Sequence, residues 1–149
     1  LTDASGKKKV TAEGDITLVD TVKYENLVPG TEYKLDGKLV DMKGNTIATG
    51  SSTFKPAAAD GEAKIEFKFN ANKVKGLDKV VAFEYLYDMN GNKIAQHEDL
   101  NDKGQTVELT SPIVVKKKLA MTGAGIGLLG VLSLLTLGAG AALAARRRI

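Results

Sequence analysis

The residues able to do chemistry in this chain are few and widely spaced. His97 is the only histidine among 149 residues and cysteine is absent, so proton transfer rests on one imidazole, and thiolate nucleophiles, disulfides and thiolate metal sites are excluded. Residues 80–87 are apolar in both phases apart from Glu84. An acid alone in such a run loses its hydration, which raises its pKa, so Glu84 is expected to keep its proton at neutral pH and donate a hydrogen bond. Asp41 closes the apolar stripe of Tyr33, Leu35 and Leu39 on the inward phase, and Gln105 shares its phase with Val107 and Leu109. An imidazole, a protonated acid and a carboxylate are the tools of general acid and base chemistry.

Metal chemistry has little support. Asp41-Met42-Lys43-Gly44-Asn45 and Asp88-Met89-Asn90-Gly91-Asn92 have the composition of calcium loops, as do residues 99–104. None carries the closing glutamate such a loop needs, Lys103 falls at a ligand position in the third, and tight turns favour the same residue types. No metal and no cofactor is implied. The net charge of +3 belongs to the tail, because residues 116–118 and 146–148 supply six of the 21 basic residues. Residues 1–115 hold 15 basic against 18 acidic residues, a balance that argues against nucleic acid as a partner.

The elements that must position these residues are strands. Seven short runs with β-type patterning, at 15–25, 31–41, 46–54, 62–69, 79–88, 92–98 and 104–115, are separated by turn residues. Ile65, Phe67 and Phe69 oppose Lys64, Glu66 and Lys68 in strict alternation, the mark of a half-buried antiparallel strand. The run around Glu84 reads as a central strand. Val28-Pro29-Gly30, Lys43-Gly44-Asn45 and Asn90-Gly91 read as hairpin connections, and residues 71–76 as a single helical turn. Seven such strands predict an all-β, immunoglobulin-like (CnaB-like) antiparallel sandwich over residues 15–115. Residues 1–14 are polar and read as a linker from a preceding domain; with no initiator methionine at Leu1, the chain reads as part of something longer.

Residues 81–84, Val-Ala-Phe-Glu, are the namesake string of the VaFE repeats, or Thr–Gln ester bond domains, of surface adhesins. Residues 20–22 (Asp-Thr-Val), 29–33 (Pro-Gly-Thr-Glu-Tyr), 39–41 (Leu-Val-Asp) and 97–107, from His97 through Gln105-Thr106-Val107, resemble that family as well. The resemblance implies an intramolecular ester between a first-strand threonine and a last-strand glutamine, assisted by acids and a histidine. Those roles fall on Thr21, Gln105, Glu84, His97 and Asp41. His97 would take the Thr21 proton and pass it to the leaving ammonia, Glu84 would hydrogen-bond the Gln105 carbonyl, and Asp41 would orient His97. One feature resists this assignment. Ile16, Leu18, Val22 and Tyr24 define the apolar phase of the Thr21 strand, so Thr21 points outward unless a bulge intervenes or both faces are covered.

The tail is a different kind of sequence. Residues 124–145 carry no charge, and 22 helical residues span about 33 Å, enough for a C-terminal transmembrane helix. The basic stop at 146–149 stays cytoplasmic by the positive-inside bias, which leaves residues 1–115 outside the cell. Between domain and span, residues 116–123 form a linker ending in Leu119-Ala120-Met121-Thr122-Gly123, which resembles the LPxTG sorting signal in an LAxTG form. By that resemblance a sortase cleaves between Thr122 and Gly123 and joins Thr122 to a peptidoglycan or pilin amine, and contact with the membrane is transient. Ala120 in place of proline bears on which sortase class acts.

These features imply a stalk domain of a wall-anchored adhesin that crosslinks itself once and is not an enzyme in the turnover sense. A tie across the 84 residue steps from Thr21 to Gln105 would stabilise by about 4 kcal/mol through loop closure. Two other readings stand beside it: a module whose loops bind a ligand, and a pilin-type sandwich in which Lys23 joins an asparagine.

Overall fold

The computed structural model describes residues 1–112. The chain divides after Thr110, and the first unit is Leu1–Thr110. The sorting pentapeptide at 119–123, the apolar span at 124–145 and the basic tail lie outside the described residues. Among the described residues no helix is long and apolar enough to cross a membrane.

The first unit is all β. Its strands are β1 (Thr2–Asp3), β2 (Lys9–Thr11), β3 (Asp15–Tyr24), β4 (Tyr33–Val40), β5 (Thr46–Phe54), β6 (Gly61–Asn70), β7 (Lys79–Tyr87), β8 (Lys93–His97) and β9 (Thr106–Thr110). All seven expected strands form. Two further strands, β1 and β2, lie in the polar segment that reads as a lead-in, because polar residues suffice where each strand pairs with only part of a longer neighbour.

The strands make two sheets, one ordered β1-β3-β6 and the other β2-β9-β7-β4-β5, with β8 also paired to β7. Pairing is antiparallel throughout except between β2 and β9, which run parallel. β6 buries every second residue, so Ile65 and Phe67 face the other sheet while Lys64, Glu66 and Lys68 stay in water. Leu18, Ile65 and Phe67 from the small sheet pack on Leu35, Leu39, Val80, Ala82 and Val107 from the large one. Gly37 of β4 sits where Phe67 comes close: a Cβ there would lie 2.6 Å from the ring's Cζ.

β7 is the central strand its apolar run predicts, with β4 on one side and β8 and β9 on the other. The chain around Pro29 differs from expectation. It links β3 in one sheet to β4 in the other, so it is a crossover between layers rather than a hairpin. Gly30 adopts φ +77° there, and Val28 N–H donates to the Tyr33 hydroxyl at 3.0 Å.

Candidate functional site

β3 and β7 each send one acid into the interior. The alternation that buries Ile16 and Leu18 also buries Asp20, which is 1% exposed, and Glu84 of β7 is 2% exposed. Apart from the Leu1 nitrogen, 3.0 Å from Asp20 Oδ1, neither carboxyl finds an N–H or O–H donor among the described residues. A proton shared between the two carboxyls supplies the missing donor. Burial, then the hydrogen bond to Asp20 and its charge, push the Glu84 pKa up to about 10. Glu84 is therefore the protonated member at neutral pH, as its sequence context predicts.

Register builds the rest of the site around this pair. Gly37 of β4 and His97 of β8 flank Glu84 on either side, so His97 lies on the same face of the sheet as Glu84, at its open margin. Its Nε2 is 2.8 Å from Asp102 Oδ2. Asp102 also caps the 3-10 turn Lys103–Gln105: Oδ1 accepts from Gly104 N–H at 2.7 Å, and the main-chain carbonyl accepts from Gln105 N–H at 3.2 Å and Thr106 Oγ1 at 2.6 Å. Burial raises the Asp102 pKa, but the Gly104 N–H, His97 and the Gln105 N–H together bring it below the usual aspartate value. The Leu1 nitrogen, besides touching Asp20, donates to Gly104 O at 2.7 Å. Asp20, Glu84, His97, Asp102 and the turn ending in Gln105 thus form one connected group.

Two assignments from the sequence need correction. Thr21 is exposed, because β3 runs from Asp15 to Tyr24 in unbroken register with β6 and contains no bulge to rotate it inward. Asp41 does not reach His97. Its carboxylate closes the β4–β5 turn, accepting from Lys43 N–H and Asn45 N–H at 2.9 Å and Asn45 Nδ2 at 3.0 Å, bonds that lower its pKa, those from Asn45 most. Asp88 makes the same turn between β7 and β8. Asp102 takes the histidine-orienting position instead. Asp20 and Asp102 are the candidate site residues that sequence reasoning missed. The signal for Asp20 was the very phase that turns Thr21 outward, whereas that for Asp102 was only its spacing from His97 in a loop.

A groove of about 290 Å³ opens beside the acid pair, lined by Val22, Tyr24, Leu86, Ala95, Glu84 and His97 among others. It lies between β8 and an edge of β3: β1 pairs with β3 only at Thr2–Val19 and Asp3–Leu18, so the edge from Asp20 to Tyr24 has no strand partner among the described residues. Lys23 also lines the groove, but no asparagine does. Among the described residues no group of acids and histidine could hold a metal ion.

An acid pair is thus buried in an immunoglobulin-like sandwich, beside a histidine and near the turn that leads into β9. The chain belongs to the T-Q ester bond containing domain family, whose model matches residues 1–109. Among solved structures it is similar to a Mobiluncus mulieris bacterial adhesin described as containing intramolecular disulfide, isopeptide and ester bond cross-links. That protein is known in two crystal forms, matched with TM-scores of 0.63 and 0.61 at 16% and 17% identity over 72% of this chain. The chain spans 54% of the length of those structures, and at this identity the likeness establishes the fold. No curated protein matches.

Proposed function

We propose that this domain is a load-bearing module of a bacterial surface adhesin, locked by one ester between a threonine hydroxyl and the Gln105 carboxamide. The observation that carries the reading is the Asp20–Glu84 pair, buried between the two sheets with His97 paired beside Glu84. Membership of the ester bond family supports it.

The reaction adds the hydroxyl oxygen to the Gln105 amide carbon and breaks that carbon's bond to nitrogen, releasing one ammonia. His97, held by Asp102, takes the hydroxyl proton and returns it to the departing nitrogen. Protonated Glu84 donates to the carbonyl oxygen as negative charge develops there, and Asp20 holds Glu84 in its protonated form. The domain does this once and does not turn over.

Thr21, on the outer face, is poorly sited as the nucleophile. The free edge of β3 offers a better route. β1 pairs Thr2 with Val19 and Asp3 with Leu18, and one residue further on Leu1 is buried with its nitrogen 3.0 Å from Asp20 Oδ1. An extended segment continuing β1 along β3 would bring the second residue before Leu1 opposite Val22, facing inward at the groove beside Glu84 and His97. A threonine there would meet the acid pair. Force entering along that strand would then pass through the ester into β9 instead of peeling the sheets apart.

In the whole protein, the Leu119-Ala120-Met121-Thr122-Gly123 signal, apolar span and basic tail serve covalent attachment to the wall by a sortase, with Thr122 joined to a peptidoglycan or pilin amine. The decisive measurement is intact mass and peptide mapping of the protein taken from the cell surface. The reading requires a mass one ammonia short and a peptide esterified at Gln105, both lost in Gln105→Ala; a full mass in the parent protein refutes it.

A further inference from the structure

Lys8 makes an unusual set of contacts. Its Nζ donates to three main-chain carbonyls, those of Lys103 at 3.1 Å, Gly104 at 2.6 Å and Thr106 at 3.3 Å, which bracket Gln105 on both sides. Its own main chain is fixed, because Glu108 N–H donates to Lys8 O at 2.9 Å and β2 runs parallel to β9 from Lys9 onward.

Main-chain and terminal donors already reach two of these carbonyls, Thr106 N–H at Lys103 O and the Leu1 nitrogen at Gly104 O, and Lys8 adds a charged donor with three N–H groups that ties both to Thr106 O. Asp102 anchors the N-terminal end of the same turn by accepting from Gly104 N–H. Gln105 is therefore held between an aspartate on one side and a lysine on the other. The aspartate also carries His97, whereas the lysine has no contact with the acid pair or the histidine in the hydrogen bonds it makes.

We propose that Lys8 is a positioning residue for the crosslinking reaction, clamping the backbone on both sides of Gln105 so that its carboxamide is presented to the acid pair in one setting. The inference rests on the ester reading above and adds the residue that orders the electrophile. A carboxamide on a loose turn would be misaligned for most of its time, and attack on an amide is sensitive to misplacement by an ångström or less.

The experiment follows crosslinking of the full protein after rapid refolding, by loss of ammonia, in the parent, Lys8→Met and Lys8→Arg. Exchange of the Gln105 and Thr106 amide protons is measured alongside in a Gln105→Glu background. Lys8→Met keeps the aliphatic stem and removes the donors. It is expected to slow ammonia loss at least tenfold, and amide exchange at residues 105 and 106 should speed up by a similar factor. Lys8→Arg, whose guanidinium can still donate to several carbonyls, should recover most of the rate. Equal crosslinking rates in the parent and in folded Lys8→Met overturn the proposal, and faster exchange with an unchanged rate does so equally by reducing the clamp to a structural contact. Should the parent itself lose no ammonia, the ester reading fails, a result distinct from equal nonzero rates.

Discussion

Asp20 and Glu84 come from different sheets and meet inside the sandwich, each carboxyl the other's side-chain partner. Two ionised carboxylates could not share that space, so the pair holds a proton.

The stored proton has a signature in stability. The Glu84 pKa is about 10 in the folded chain, against 4.5 for an ordinary glutamic acid. Its protonated form is at no disadvantage below pH 4.5, but between 4.5 and 10 folding must take up a proton that the unfolded chain lacks. Stability is therefore lost as pH rises through that window, with a limiting slope on the order of 1 kcal/mol per pH unit. Denaturant midpoints from pH 5 to 9, in a Gln105→Ala background, should fall for Glu84 and stay nearly level for Glu84→Gln. Parallel curves would disprove a raised Glu84 pKa.

Adjacent residues of β3 should behave oppositely. Asp20→Asn removes the partner that holds the Glu84 proton and is expected to slow ammonia loss a hundredfold or more. Thr21→Ala, on the solvent face, should leave the crosslink intact and shift stability by no more than about 0.5 kcal/mol. Mass spectra of both variants decide the point, and a full mass in Thr21→Ala would return the nucleophile to that residue.

Asp102→Ala cuts two connections together, the cap on the Gln105 turn and the bond to His97. The lost cap should cost about 1 kcal/mol in a denaturant melt, and crosslinking should slow as well. Asp102→Asn preserves an oxygen for Gly104 N–H, so it should recover the stability but not the rate. Because the Asp102 pKa is held below 3.8, the stability it gives is present at neutral pH and is lost as pH falls through that lowered value, a loss the asparagine variant will not show.

Gly37→Ala tests the packing beneath the site. The new Cβ would lie 2.6 Å from Phe67 Cζ and 2.8 Å from Ile65 Cδ1, so β4 must shift or the ring must turn. A loss of about 1–3 kcal/mol is expected in thermal or denaturant melts. An unchanged midpoint would mean that the two sheets have slack at this crossing.

Much of this protein was legible from alternation alone. Period-two patterning fixed seven strands and their inward faces, and the apolar run around Glu84 made it both central and protonated, since these depend only on which side chains leave water. The same rule applied strictly to β3 selects Asp20 over Thr21, and the structure obeys it. Tertiary structure decided the remainder, because those relations hold between residues far apart in the chain. Which acid meets Glu84 depends on how β3 and β7 stack, and Asp102 finds His97 only because the loop after β8 folds back on it. Asp41 has the same chemistry as Asp102, but a local turn uses its oxygens first. Lys8 and the Gln105 turn are nearly the whole domain apart in sequence, and only the parallel pairing of β2 with β9 joins them. Local composition sets what each residue prefers, while contact across the sandwich sets what it can do.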